Sequence, residues 1–295
     1  MKSSGQSPVL QIVFVIGIFL CFTIQGLAQS KTKKSKGDPS NWKLGLALYT
    51  FSNMSFPQQL DYADSASIKY VEGFTFAKAG IELKDSLLMN LSPSGVQQLK
   101  AKLNQKGFKM ESIYITGGKT VDNWKRDFEF ANRFGVKYVT AEPPKNMWNS
   151  VDSLAKAYGV KVALHNHWNG NSIYWHPDSV LAAIEGHSSF GACPDLGHYP
   201  KSGLNPLDAI KKLEGKIIGI HLKDIAEYNN TKIQDVQVGT GVIDFPAIFD
   251  ELKRQDFRGN INIERDTKEK PNNLSSVKQT INYYREILKL KEKIE

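Results

Sequence analysis

Four of the six histidines in this chain, His165, His167, His198 and His221, stand where short apolar runs give way to polar residues. Acidic and basic groups accompany them. One run ends in Thr140-Ala141-Glu142, the next in Leu164-His165-Asn166-His167, and a third continues into Pro194-Asp195-Leu196-Gly197-His198. Two more end in His221-Leu222-Lys223-Asp224 and Ile263-Glu264-Arg265-Asp266. In an extended chain residues i and i+2 face the same side, so His165 and His167 point to one place. Carboxylates and imidazoles without thiolates form a donor set suited to Mn²⁺, Co²⁺, Mg²⁺ or Zn²⁺. An imidazole left off the metal, with an unperturbed pKa of ~6.5, can also serve as a base. Each residue alone has a plainer role: a Glu after a strand is an ordinary solvated loop residue, and a His there is a hydrogen-bonded structural one. Five successive runs nonetheless end in this chemistry.

Those runs must be brought together, and the elements between them say how. From Trp42 onward a short β-branched run, a turn and an amphipathic stretch repeat eight times. Strands are expected at 43–50, 69–74, 108–115, 136–141, 160–164, 190–194, 216–222 and 260–264. Helices open at Ser55-Phe56-Pro57, Ser94, Val121, Asn149, His176-Pro177-Asp178, Asn205-Pro206 and Asp244-Phe245-Pro246, with a terminal helix over 274–291. Ser, Asn or Asp caps followed by Pro, and Gly at 107, 135 and 159 as stops, are the expected end signals. Eight alternating β and α units without a composition break predict a single (β/α)8 barrel, in which all strand C-termini converge on one mouth. A doubly wound open sheet is the competing arrangement.

The chain has 295 residues, 41% hydrophobic and 23% charged, which excludes wholesale disorder. Of its formal net charge of +8, five units lie on Lys2, Lys31, Lys33, Lys34 and Lys36. The remaining body charge is too small to mark a nucleic-acid surface. Residues 1–28 read as a signal peptide: Lys2, an apolar stretch from Val9 to Phe22, and Gly26-Leu27-Ala28 before the cut. The apolar stretch is shorter than the ~20 residues of a membrane-spanning helix. A Lys-rich flexible tail is expected over 29–41 and the barrel over 42–295, in an exported protein, periplasmic or secreted. Only Cys193 then remains, so no intrachain disulfide forms in the mature chain.

Asp195-x-x-His198, His221-Leu222-Lys223-Asp224 and Ile263-Glu264-Arg265 together resemble the xylose-isomerase-like TIM-barrel superfamily, in its sugar phosphate isomerase/epimerase branch. Gly239-Thr240-Gly241 ahead of Asp244-Phe245 resembles a segment of the same branch; it lacks the third glycine of a dinucleotide loop. The resemblance covers nearly all of 42–290. It implies metal ligation by Asp195, His221 and Glu264, with His198 on substrate or metal. Many members place a second carboxylate at the end of strand five, where this chain has His165. Glu142 is the available substitute, so the expected ligands are Glu142, Asp195, His221 and Glu264 around one divalent ion (Mn, Co, Ni, Mg or Zn). His165 is then a fifth ligand, a supporting group or a catalytic one. Glu142, Glu264, His165 and His167 are the catalytic candidates, and His167, His198, Lys223 and Trp168 the substrate-binding ones. Lys223 either meets an oxyanion or pairs with Asp224. Trp148, Trp168, Tyr174 and Trp175 either carry a sugar face or pack the rim. An arginine that some ketose epimerases carry six residues after the strand-seven histidine is Glu227 here, which implies a different substrate set.

The resemblance implies an isomerase or epimerase that forms an enediolate by removing the proton next to a metal-polarised carbonyl. A metal-dependent keto-sugar hydratase or dehydratase reaches the same enediolate and is the alternative. Histidine in place of glutamate at strand five changes the charge and pKa of the candidate base, and so bears on which reaction occurs. A secreted sugar-binding protein without catalysis would have no reason to keep Asp195, His221 and Glu264 together. An abasic-site endonuclease would need histidines at the ends of strands two to four, which read Glu72-Gly73-Phe74, Ile113-Tyr114-Ile115 and Ala141-Glu142. The expected partner is a small carbohydrate, with no nucleic acid, no stable membrane insertion after cleavage and, optionally, further copies of the chain.

Overall fold

The computed structural model describes Met1, residues 37–268 and residues 273–290. The expected signal peptide, most of the tail and the end of the terminal helix lie outside the described residues. No described helix is long and apolar enough to cross a membrane.

Eight parallel strands form the barrel: β1 (Lys43–Ala47), β2 (Tyr70–Phe74), β3 (Lys109–Tyr114), β4 (Tyr138–Ala141), β5 (Lys161–His165), β6 (Phe190–Cys193), β7 (Gly219–Leu222) and β10 (Asn260–Ile263). Their order runs β6-β5-β4-β3-β2-β1-β10-β7. The seam between β6 and β7 is bridged by backbone bonds, Ala192 N to Lys216 O at 2.8 Å, Ile218 N to Ala192 O at 2.9 Å and His221 N to Pro194 O at 3.0 Å. Between β7 and β10 a short antiparallel hairpin, β8 (Asp224–Ile225) with β9 (Asp235–Val236), occupies what reads in sequence as a bare loop.

Helices α1 (Phe56–Ser65), α2 (Pro93–Gln105), α3 (Val121–Phe134), α4 (Trp148–Tyr158), α5 (Pro177–Ile184), α7 (Pro206–Lys212), α8 (Phe245–Arg254) and α9 (Asn273–Ile287) sheathe the strands. Their apolar faces, including Leu60, Leu99, Phe128, Val151 and Phe249, merge with the outward strand residues into one core. Ser55 and Gln58 close a capping box on α1, as the Ser-Phe-Pro signal predicts. A four-residue turn, α6 (His198–Lys201), follows β6 and has no separate signal in the sequence. The first strand stops at Ala47, short of the expected Thr50, because Leu48–Phe51 turns into a 3-10 helix. That turn lets Thr50 accept hydrogen bonds from Arg265 N and Asn273 Nδ2, tying β1 to the far end of the chain. Residues 39–41 form another 3-10 turn, and Gly37 N–H donates to Asp256 Oδ1 at 2.7 Å.

Period-two alternation decides what fills the barrel. The inward register of β4 runs Tyr138, Thr140, Glu142; that of β5 runs Ala163, His165, His167; that of β7 runs Gly219, His221, Lys223. Bulky Tyr138 fits because its neighbours are small: a Cβ on Gly219 would lie 2.7 Å from the Tyr138 hydroxyl. These three strands end their inward registers in polar groups at the mouth, and buried Asn260 and Asn262 of β10 carry polarity deeper into the barrel.

A buried carboxylate outside the mouth gives a stability test. Asp127 on α3 accepts from Gly117 N at 2.9 Å and is otherwise enclosed, and burial pushes its carboxyl up to about 6 despite that bond and Arg126. Its folded pKa exceeds the unfolded ~3.9, so the folded state binds the proton more tightly. That contribution is complete at low pH and is lost as pH rises through about 6, so stability should fall with pH across this window. Asp127→Asn should flatten that slope in urea titrations and raise stability at pH 7 by roughly 1–2 kcal/mol, a figure discounted for solvent screening. An unchanged slope would contradict the assignment.

Candidate active site and metal centre

Three buried side-chain atoms that make no well-formed hydrogen bond meet at the barrel mouth: His165 Nε2, Asp195 Oδ2 and His221 Nδ1. His165 Nε2 lies 3.6 Å and His221 Nδ1 3.9 Å from Asp195 Oδ2. All three atoms fall within the spread that a single ion can span. Glu264 Oε2 is 2.7 Å from His221 Nδ1 and joins the same cluster. Buried polar atoms that fall short of good hydrogen-bond geometry cost free energy, and a cation among these donors would satisfy them.

The opposite edge of each imidazole is held by a carboxylate. His221 Nε2 lies 2.5 Å from Glu72 Oε2, and Glu72 Oε1 accepts from the Thr140 hydroxyl at 2.5 Å. His165 Nδ1 lies 3.0 Å from Glu142 Oε1. Against burial, the carboxylates on both sides of His221 raise its pKa well above the ordinary value. An ion bound beside Asp195 would take the nitrogen that each ring turns away from its supporting carboxylate. This is the arrangement by which carboxylates orient metal-binding histidines.

Of the four residues expected as ligands, the structure brings Asp195, His221 and Glu264 together and sets Glu142 apart. Glu142 is gripped by Tyr114 OH at 3.0 Å, His165 Nδ1, His167 Nδ1 at 2.5 Å and the Ser172 hydroxyl. Burial pushes its carboxyl up, but the two imidazoles outweigh this and hold it well below the usual carboxylate range. His165 stands where Glu142 was expected, and Glu142 stands behind it. Glu142, His165 and His167 form a second set of donor atoms close enough to share an ion. The Glu142 bonds to both rings already satisfy that set.

Lys223 does not pair with Asp224. Its buried ammonium sits 3.1 Å from both Asp195 Oδ2 and Glu264 Oε1, and 3.8 Å from Asp235 Oδ2. Burial pulls its pKa down, and these three carboxylates overcompensate and raise it well above the ordinary value. Asp224 instead accepts from Ile225, Gly239 and Gly241 N–H groups and folds the Gly239-Thr240-Gly241 turn around itself. A Cβ on Gly241 would lie 2.1 Å from Ile225 O, which explains that glycine. Glu227 lies outside, exposed, accepting from Asn230.

A cavity of about 420 Å³ opens onto the cluster, lined among others by Tyr49, His167, Trp168, His198, Lys201 and Glu264. That volume is in the range of small-molecule sites. Trp168 packs edge-on to His167 and His198, whose rings stack at 4.7 Å. Of the four aromatics considered as sugar platforms, Trp168 alone lines the cavity. Tyr174 is fully buried and binds Trp148 Nε1 and Pro143 O, so this pair packs the rim. Glu72, Lys201 and Asp235 are site residues that the strand-end reading passes over. Glu72 was legible in principle, since a carboxylate inside an apolar strand needs a partner.

With this geometry in place, comparison with known proteins is informative. The chain belongs to the xylose isomerase-like TIM-barrel family, whose sequence model matches residues 61–287. Among curated proteins, it is 28% identical to Uncharacterized protein MJ1311 of Methanocaldococcus jannaschii and 27% identical to the inosose dehydratase of Clostridium botulinum. Those two alignments span about half of each relative, 51% and 45%, and 50% and 40% of this chain. The inosose dehydratase of Glaesserella parasuis aligns over 74% of this chain and 88% of its own length at 23% identity. Among solved structures, an uncharacterized protein from Parabacteroides distasonis ATCC 8503 is 31% identical, with TM-score 0.67 over 83% of this chain and 99% of that one. The IOLI protein with a bound zinc atom shares the fold at 19% identity, with TM-score 0.70 over 85% of this chain and all of that one.

Removing Lys223 leaves Asp195 and Glu264 buried without their shared cation. Lys223→Met should therefore destabilise the metal-free protein by about 3–5 kcal/mol in chemical denaturation. Adding Asp195→Asn should recover part of that loss, because the two side chains are directly coupled. Additive effects would show that Lys223 is not the cation balancing this cluster.

Proposed function

We propose that the chain is a divalent-metal-dependent enzyme that removes the proton beside the carbonyl of a carbohydrate, as an isomerase or epimerase. The observation that carries this reading is the convergence of His165, Asp195 and His221, buried and close enough to share one ion, beside Glu264, which lines the cavity. His165, Asp195, His221 and Glu264 would hold the ion. A bound divalent ion supplies Lewis acidity that polarises a carbonyl and stabilises developing oxyanion charge. The zinc in the IOLI structure supports a divalent ion without identifying the one used here.

The chain's own residues account for the rest. Glu142 Oε1 accepts from His165 Nδ1 and His167 Nδ1 together, so one carboxylate orients both rings. That leaves His167 with Nε2 as its basic nitrogen, on a ring that lines the cavity. His167 thus has the geometry of a general base: a partly exposed imidazole, a carboxylate behind it to support the imidazolium, and a substrate-sized space in front. Lys223, between Asp195 and Glu264, also lines the cavity and places an ammonium where negative charge develops on an oxygen.

A second reading, dehydration of a keto-sugar, is favoured by one observation. His198 stacks on His167 at 4.7 Å and its Nε2 lies 3.5 Å from Lys223 Nζ, so an ammonium paired with a second imidazole faces the same space. Loss of a hydroxyl requires such a group beside the base. The inosose dehydratases among the relatives support this reading as well.

Incubation with keto-sugars in D₂O and added Mn²⁺ or Zn²⁺, followed by NMR, tests both. Deuterium at the α-carbon with unchanged composition is expected for isomerisation, and loss of water for dehydration. His167→Asn should lower exchange by about 10²–10⁴-fold while metal content stays the same. Undiminished exchange in this variant would remove His167 as the base, and no exchange on any substrate would overturn both readings.

A further inference from the structure

A second cavity, of about 330 Å³, opens at the other end of the barrel. That volume sits at the lower end of small-molecule sites. Its walls are the first residues of β5 and β6, the turn at His187 and Ser188, and the stretch from Gly215 to Ile218 that leads into β7. These are the strand N-termini, so the cavity is separate from the histidine-rich mouth, and the proposed chemistry uses none of its residues.

The seam between β6 and β7 explains the hollow. These two strands share no continuous ladder. Instead Ala192 N–H donates to Lys216 O and Ile218 N–H donates to Ala192 O, so 216–218 reach β6 before β7 begins at Gly219. Gly191 permits this close approach, since a Cβ there would lie 2.6 Å from Ile218 Cδ1 and 2.7 Å from Lys216 O. The approach gathers Ile217 and Ile218 with Phe190 and Ile184 into one apolar lining. The three isoleucines are only half-buried. Apolar side chains left in a hollow forgo contacts that an apolar ligand would supply. One wall is rigid: the His187 ring stacks on Phe190 at 5.1 Å, and its two nitrogens are held by Ala183 O and Asn149 Oδ1.

Charge in this lining has one sign. Lys161 and Lys216 contribute to it, and no carboxylate does among the described residues. Lys161 Nζ donates to Ser188 O at 3.0 Å, which keeps its ammonium at the rim. Lys216 is exposed, and its ammonium has no ion pair or hydrogen bond among the described residues. Glu214, its nearest acid in sequence, is drawn away by Arg254 at 2.6 Å. Apolar walls with ammoniums at the rim are complementary to a molecule that has an apolar body and one anionic end.

We propose that this cavity at the foot of the β6–β7 seam binds a short amphipathic carboxylate of about the size of octanoate. The carboxylate meets Lys216 and Lys161, and the chain lies against Ile184, Phe190, Ile217 and Ile218. The site stands independently of the carbohydrate reading.

Calorimetric titration of the metal-loaded protein with octanoate, octanol and acetate tests this. Octanoate should bind with a Kd below about 1 mM, and octanol and acetate, lacking the charge or the chain, at least about tenfold more weakly. Lys216→Met should weaken octanoate about tenfold and leave octanol unchanged, with the same Tm because its ammonium bonds nothing. Ile217→Ser should weaken both octanoate and octanol. Octanoate binding no more tightly than octanol or acetate would overturn the inference, as would binding unchanged in both variants. Octanoate binding that is lost in His167→Asn and kept in Lys216→Met would place it at the mouth and overturn it as well.

Discussion

Glu142 fixes the chemistry of this barrel mouth by accepting from two imidazoles at once. Because its Oε1 faces the Nδ1 atoms of both His165 and His167, neither ring can turn its Nδ1 toward the cavity. One ring presents its remaining nitrogen to the Asp195–His221 cluster and the other presents its nitrogen to the cavity. Tyr114 OH donates to the same Oε1 and the Ser172 hydroxyl to Oε2, so both ends of the carboxylate are held against rotation. Tyr114 is itself wedged edge-on against His165, 5.7 Å between ring centres, so packing and hydrogen bonding enforce one orientation.

This interaction also explains how a histidine stands at the end of β5, where the family resemblance implies a glutamate. Exchanging a carboxylate for an imidazole in a ligand set removes one negative charge. Glu142 restores a negative charge one strand away, in contact with the replacement. Lys223 and Asp235 balance the cluster from the other side. Burial alone pushes Asp195 and Glu264 toward neutrality, but the neighbouring cations and imidazoles reverse it and hold both well below the usual carboxylate range. The site is thus kept ionised by its own neighbours, with its bare donor atoms directed at one point.

Much of this was legible in the sequence, and the remainder fails for identifiable reasons. Period-two registers and cap–Pro–Gly punctuation place the eight strands and most of the helices, since these signals act within a few residues. They also place Asp195, His221 and Glu264 at one mouth, because in a barrel every strand end converges. Contacts that depend on which rotamer meets which neighbour are not local. Glu142 and His165 sit on adjacent strands, and sequence spacing cannot say which of them reaches Asp195. Glu72 is hidden for a different reason: at the end of strand two it is one carboxylate with no chemistry beside it in sequence, and its partner His221 is 149 residues away. Lys201 and Asp235 come from a four-residue turn and a two-residue strand, elements too short for periodicity to reveal.

The central claim is that His165, not Glu142, completes the donor set with Asp195, His221 and Glu264. X-ray absorption spectroscopy of the zinc-loaded protein reads this directly, because imidazole rings scatter through their outer atoms and carboxylates do not. The account predicts two imidazole ligands with the remainder oxygen, falling to one imidazole in His165→Gln and staying at two in Glu142→Gln. A single imidazole in the unaltered protein, or loss of a ligand only in Glu142→Gln, would contradict it.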